Sequence, residues 1–155
     1  MKISIITVTY NSIEHIDDCL SSIQAQSHSD VEHIIIDGAS NDGTLSFLKS
    51  KNKQLKTIIS EPDDGIYDAM NKGIAAATGD IIGILNSDDF YPNSFVLSNV
   101  AKSFNKYNCD AVYGDLVYVK SDNVKRIIRY WKAGDYNTLK IRNGWMLPHP
   151  TFFVK

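Results

Sequence analysis

Ile3-Ser4-Ile5-Ile6-Thr7-Val8 is short, β-branched and nearly continuous in apolar character. That is the pattern of a strand covered on both faces of a sheet. Behind it Ile13, Ile16, Leu20 and Ile23 recur at spacings of three and four, which predicts an amphipathic helix. Asn11 followed by Glu14 predicts a capping-box-like start for it. Residues 31–37, built around Ile34-Ile35-Ile36, read as a second strand. Residues 43–51 read as a short helix with Leu45 and Leu48 on one face, and 56–60 as a third strand. Ile66, Met70, Ile74 and Ala77 form the next helical stripe, which Gly79 is expected to close with a left-handed cap. Residues 80–85 read as a buried fourth strand, and 92–107 as a helix with Leu97, Val100 and Phe104 inward. Alternating strands and helices imply a mostly parallel sheet with right-handed crossovers.

Past Cys109 the alternation stops. Residues 111–119 and 124–130 predict two strands joined by a polar turn, and periodicity is weak from 131 to 147. Thr151-Phe152-Phe153-Val154-Lys155 resembles a strand just beginning. An unpaired apolar strand there would leave an exposed edge, so residues 1–155 are expected to be one domain, the front part of a longer one.

Of 155 residues, 43% are hydrophobic and 22% charged, which excludes a disordered or low-complexity chain. Sixteen Lys and Arg against 18 Asp and Glu leave a net charge of −2, which argues against nucleic acid as a partner. The longest apolar runs fall far short of the ~20 residues of a membrane-spanning helix, and no signal peptide is read. Cys19 and Cys109 form neither a disulfide framework nor a metal cluster, and Cys19 lies in the helical pattern as a buried thiol. The expected compartment is the cytosol.

In an open parallel sheet, ligands bind beyond the carboxyl ends of the strands. Each predicted strand runs into a polar cluster there: Thr7, Thr9, Tyr10 and Asn11; Asp37, Gly38 and Ser40; Ser60, Glu61, Asp63 and Asp64; then Asn86, Ser87, Asp88 and Asp89. Any one of them reads first as a solvated turn, but four on one edge concentrate carboxylates that repel unless a cation or donors intervene. Asp88 and Asp89 offer hard oxygen ligands to Mg²⁺ or Mn²⁺, although one acid could instead cap the following helix. No phosphate-gripping glycine signature follows the first strand, which counts against a dinucleotide-binding or P-loop protein. Tyr10 offers an aromatic face for a nucleobase, and Asp37 can accept a base or ribose proton.

Thr7-Val8-Thr9-Tyr10-Asn11, Ile36-Asp37-Gly38-Ala39-Ser40-Asn41-Asp42-Gly43-Thr44 and Asn86-Ser87-Asp88-Asp89 resemble the signature segments of family 2 inverting glycosyltransferases. Between them, Ser60-Glu61-Pro62-Asp63-Asp64-Gly65-Ile66-Tyr67-Asp68-Ala69-Met70-Asn71-Lys72-Gly73 is similar to the bacterial branch that builds surface polysaccharides. The resemblance implies a GT-A-like α/β fold: a nucleotide-binding, Rossmann-like, mostly parallel sheet flanked by helices, with a C-terminal β-hairpin region. Residues 1–91 would bind the nucleotide-sugar and 109–155 begin the acceptor side.

The same resemblance implies that Thr9, Tyr10, Asn11, Asp37, Ser40 and Asp88 hold the nucleotide of a UDP- or GDP-type sugar donor, and Asp89 a Mn²⁺ or Mg²⁺ ion. His149, between Pro148 and Pro150, would touch the diphosphate or the acceptor, or be structural. The acceptor would be a saccharide or lipid-linked saccharide, the latter bringing peripheral association with the inner membrane face. Three departures stand out: Gly38 replaces the second acid of the family's Asp-Asp-Gly-Ser segment, leaving base recognition to Asp37; Asn86 replaces the first acid of the metal motif; and Ala69-Met70 lacks a basic residue common there. The catalytic base has no match before Lys155 and is expected beyond it. A nucleotide-sugar-binding module without turnover is the alternative reading. A nucleotidyltransferase is a third, disfavoured because Thr9-Tyr10-Asn11 is no Gly-rich basic loop.

Overall fold

The computed structural model describes residues 1–51 and 57–155. Its elements, in chain order, are β1 (Ile3–Thr9), α1 (Ile16–Gln24), β2 (Val31–Asp37), α2 (Thr44–Ser50), β3 (Thr57–Ser60), α3 (Ile66–Ala76), β4 (Ile81–Ile84), α4 (Val96–Tyr107), β5 (Ala111–Val112), β6 (Leu116–Lys120), β7 (Asn123–Trp131), α5 (Thr138–Arg142), a 3₁₀ turn (His149–Thr151) and β8 (Phe153–Val154). The first three strands match the reading, with Lys56 of the expected third strand outside the described residues. The main sheet runs β3-β2-β1-β4-β8-β5, parallel through its first four strands and antiparallel where β8 joins β4 and β5; β6 and β7 form a separate hairpin.

Strand alternation divides the core into two layers. Ile3 and Ile5 pack with Cys19, Ile23, Leu97, Val100 and Phe104 beneath α1 and α4. Ile6, Val8, Ile34 and Ile36 face α3 through Ala69. Ile16, Leu20, Ile35 and Leu48 fill the corner under α2. Burial drives the Cys19 thiol up to about 12, so it is an inert core residue.

Several sequence expectations yield to tertiary packing. The capping box does not form: Asn11 is left-handed (φ 49°), its Oδ1 accepts from Asn41 N–H at 2.9 Å, and α1 starts only at Ile16. The α3 stripe is also shifted. Ala69 and Gly73 are its buried residues, while Ile66 and Ile74 are 48% and 44% exposed. A Cβ on Gly73 would lie 2.3 Å from Ile6 Cγ2, so only a bare backbone lets α3 lie this close to the sheet. Gly79 does not close α3 by a left-handed cap: Ala77 caps it in extended conformation, and Gly79 N–H donates to Ser4 Oγ instead. α4 begins at Val96, four residues late, because Gln26 from the end of α1 caps it. Gln26 Oε1 accepts from Leu97 N–H at 3.0 Å, and its Nε2 donates to Asn93 O at 2.7 Å. The predicted strand over 111–119 splits, β5 joining the main sheet and β6 the hairpin. The strand near 153 is not unpaired: β8 lies between β4 and β5, with Phe153 buried. No helix among the described residues is long and apolar enough to cross a membrane.

At the opposite, amino edge of the sheet, Glu32 accepts from Lys2 Nζ (2.6 Å), Ser4 Oγ (2.5 Å) and Thr78 N–H (2.8 Å). Burial alone would raise its carboxyl, but these donors outweigh it and hold the group at about 2.

Two outcomes follow from this packing. Gly73→Ala, which in an open helix gains about 1 kcal/mol of propensity, should here destabilise by about 1–3 kcal/mol in urea unfolding, through the clash with Ile6. Glu32 stabilises the fold above its ordinary value near 4.5, and that contribution fades as pH falls toward 2. Glu32→Gln should therefore cost about 1–2 kcal/mol at pH 7 and little at pH 2, read from denaturant midpoints at both pH values.

Candidate functional site

In the strand order β3-β2-β1-β4, the chain moves outward from β1 to one side and then returns to place β4 on the other. Connections leave β1 and β4 in opposite directions, so a crevice opens between their carboxyl ends. Thr9-Tyr10-Asn11 and Asn86-Ser87-Asp88-Asp89 flank it. The two sides are joined where Ser87 Oγ donates to Ser12 Oγ at 2.9 Å and Ser87 N–H to Val8 O at 3.3 Å.

Asp37 organises the neighbouring rim. It is fully buried, and its carboxylate accepts from Ser40 Oγ, from Ser40 N–H and from Ser60 Oγ at 2.7 Å. Ser40 Oγ in turn accepts from Asn11 N–H at 2.8 Å, and Gly38 N–H donates to Thr9 O at 2.9 Å. One carboxylate thus ties together the ends of β1, β2 and β3. Asp42 stitches the next turn, accepting from Ile13 N–H (3.1 Å), Thr44 N–H (2.9 Å) and Thr44 Oγ1 (2.6 Å), which holds it below the usual carboxylate range. Tyr10 projects from this base, 63% exposed. Thr9 is buried, and its Oγ1 has no partner among the described residues.

Across the crevice, Asp88 is exposed and Asp89 half-buried. Burial, reinforced by the charge of Asp88, raises Asp89 to about 6. The turn is closed by Asp89 N–H donating to Asn86 O at 3.0 Å. Asn86 Nδ2 lies 3.1 Å from His149 Nε2, which makes Nε2 the acceptor and the imidazole neutral. Burial lowers His149 below the ordinary imidazole value, against the pull of Asp88. The buried Asn86 Oδ1 has no hydrogen-bond partner among the described residues.

Among the described residues, no three His, Cys, Asp or Glu side chains gather closely enough to hold an ion unaided. One or two carboxylates plus an unclaimed amide oxygen are nevertheless the hard, incomplete donor set of an ion that takes its remaining ligands from phosphates and water. The residues fit Mg²⁺ or Mn²⁺ in that shared arrangement.

The structure brings Thr9, Asn11, Asp37 and Ser40 into one network, sets Asp88 and Asp89 across from them, and adds His149 from 63 residues away through Asn86. Sequence reading missed the Ser12–Ser87 bridge and the role of Ser60. It placed Asp63 in the third polar cluster without a role of its own; the structure brings its carboxylate over Gly38. Only the clustering of polar residues after each strand hinted at them.

The chain is similar to known proteins. The model of the family described as "Glycosyl transferase family 2" matches residues 4–153. A PGL/p-HBAD biosynthesis glycosyltransferase of Mycobacterium bovis is 36% identical over 126 residues, covering 79% of this chain and 49% of that protein. An uncharacterized glycosyltransferase of Mycobacterium tuberculosis is 35% identical over 102 residues, 65% of this chain and 39% of its own length. The chain thus spans less than half the length of these curated relatives. In three dimensions it is similar to Staphylococcus aureus TarS 1–349 in complex with UDP-GlcNAc, with TM-score 0.67 and 26% identity over 77% of this chain and 35% of that one. It is also similar to the mannosyltransferase PcManGT of Pyrobaculum calidifontis in complex with GDP-Man and Mn²⁺, with TM-score 0.67 and 25% identity over 80% and 37% of the respective chains. These likenesses bear out the GT-A-like fold.

An acid held at about 6 destabilises the fold once it ionises: the stability present below pH 3.8 is lost as pH rises through 6. Asp89→Asn should therefore stabilise the metal-free protein by about 1–2 kcal/mol at pH 7.5 and leave it nearly unchanged at pH 3.5, by urea unfolding in chelator.

Proposed function

Because the chain belongs to glycosyl transferase family 2, we propose that its crevice binds a UDP- or GDP-type sugar donor with a divalent ion. The protein would transfer the sugar, with inversion, to an acceptor hydroxyl in cell-surface polysaccharide synthesis. The observation carrying this reading is the facing of Tyr10 and Asn11 by Asp88 and Asp89 across the switch-point crevice. Similar solved structures, one in complex with UDP-GlcNAc and one with GDP-Man and Mn²⁺, support it.

In this reading Tyr10 presents its ring to the base, while Asn11 and Ser40, locked by Asp37, shape the floor beneath the ribose. Asp88 and Asp89, with Asn86 Oδ1, would hold the ion, Mn²⁺ or Mg²⁺. A bound divalent cation supplies neutralisation of charge on the departing nucleoside diphosphate. The protein's own part is positioning: the rim is hydrogen-bonded into place before the donor arrives, so little reorganisation is needed at the moment of transfer. Neutral His149, oriented by Asn86, stands ready to donate Nδ1–H to a diphosphate or acceptor oxygen. The acceptor hydroxyl, of a saccharide or a lipid-linked saccharide, would attack the anomeric carbon from the face opposite the diphosphate. The anomeric C–O bond to the diphosphate would break as the new bond forms, the hydroxyl proton passing to a general base.

Calorimetry with UDP and GDP, with and without Mn²⁺, checks the donor site. Affinity should rise with Mn²⁺ and fall as pH drops below about 6, where Asp89 protonates. Asp89→Ala should abolish the Mn²⁺-dependent part; an unchanged affinity contradicts the assignment. Release of nucleoside diphosphate from a UDP- or GDP-sugar separates a transferase from a module that binds without turnover.

A further inference from the structure

Gly38 follows directly on Asp37 at the rim, and the space where its side chain would stand is already filled. A Cβ built there would lie 2.6 Å from Asp63 Oδ2, 3.4 Å from Asp63 Cγ and 3.4 Å from Cδ2 of the Tyr10 ring. The carboxylate that position 38 lacks is therefore delivered from another strand, by the loop between β3 and α3. The same spot is bordered by the edge of the exposed Tyr10 ring.

That loop is built to hold it. Asp63 Oδ1 accepts from Gly65 N–H at 2.9 Å, and Gly65 itself adopts φ 106°, open only to glycine. Lys72 reaches back from α3 to Glu61 (3.0 Å), Asp68 (3.2 Å) and Pro62 O (2.9 Å), and Asp64 N–H donates to Asp68 at 3.2 Å. Asp63 is half-buried, and its Oδ2 has no hydrogen-bond donor among the described residues. Asp37 cannot serve in its place: it is fully buried, and both its oxygens already accept from Ser40 and Ser60.

Resting on the nucleotide-donor reading above, we infer that Asp63, rather than Asp37, reads the nucleobase stacked on Tyr10. It selects bases that present a ring N–H at their pairing edge. An ionised carboxylate only accepts hydrogen bonds. Uracil offers N3–H, and guanine offers N1–H beside its amino group. Cytosine N3 and adenine N1 are bare acceptors that the carboxylate repels. The selected class is uridine and guanosine diphosphates, against cytidine and adenosine diphosphates.

The test is calorimetry of the whole chain with UDP, GDP, CDP and ADP in saturating Mn²⁺. The wild type should prefer UDP or GDP over CDP and ADP. Asp63→Ala should lower UDP and GDP affinity about 10- to 100-fold, the worth of one charge-assisted bond, and flatten the ranking. Asp63→Asn keeps an oxygen for Gly65 N–H and adds an amide donor, so it should narrow the gap between UDP and CDP. Gly38→Asp in the Asp63→Ala background, where the space is vacated, should restore the wild-type ranking. A wild type that binds all four equally, or variants that leave its ranking intact, would overturn the inference while leaving the donor site standing. A wild type that binds none of the four overturns the donor site itself, and this inference with it.

Discussion

A single buried carboxylate sets the shape of the rim. Asp37 has left water entirely, and an isolated anion could not remain there. Its oxygens are met by the hydroxyl and amide of Ser40 and by the hydroxyl of Ser60, so the charge is stabilised only while three strand ends stay in register. Ser40 passes the constraint on to Asn11, and Asn11 to Asn41. Ala39 and Asn11 are both held at positive φ, a conformation that side-chain-bearing residues adopt at a cost of about 1–2 kcal/mol each. The hydrogen bonds offset that strain, and the result is a rigid floor under the crevice.

Opposite this floor the chemistry is reversed. Asp88 and Asp89 are adjacent acids with no basic partner among the described ion pairs. Asp89 is held well above its ordinary value by burial and by its neighbour. Asp37 is satisfied by donors and supports the architecture; Asp89 has no side-chain donor or basic partner among the described residues. Two carboxylates at one sheet edge thus differ in role because one has donors and the other does not. The orphaned Asn86 Oδ1 belongs with the second kind.

Much of this was legible in the residues. The apolar runs around Ile3–Thr9 and Val31–Asp37 located the central strands, and the polar residues that follow each strand located the rim. What could not be read depended on contacts between distant segments. Nothing local to α3 says that Ala69 and Gly73, not Ile66 and Ile74, face the sheet; the closeness of Ile6 decides it. Asn11 looks like a helix cap until Asn41, 30 residues on, claims its side chain. Gln26 displaces the start of α4 from 71 residues away. Asp37 looked like the residue free to meet a base because its burial under Ser40 and Ser60 is invisible in one dimension. The proximity of Asp63 to Gly38 is hidden for the same reason.

The placement of β8 bears on how the chain is made. Phe153 pairs with Gly83, 70 residues earlier, and fills the slot between β4 and β5. β1 to β4 can join in parallel as soon as each has left the ribosome, but that slot stays open until residue 153 has been translated. At about 5–20 residues per second the delay is roughly 4–14 s. During this interval the free edge of β4 is a template for any extended segment nearby. An edge left open in this way is the kind of surface that a holding chaperone would cover until β8 arrives.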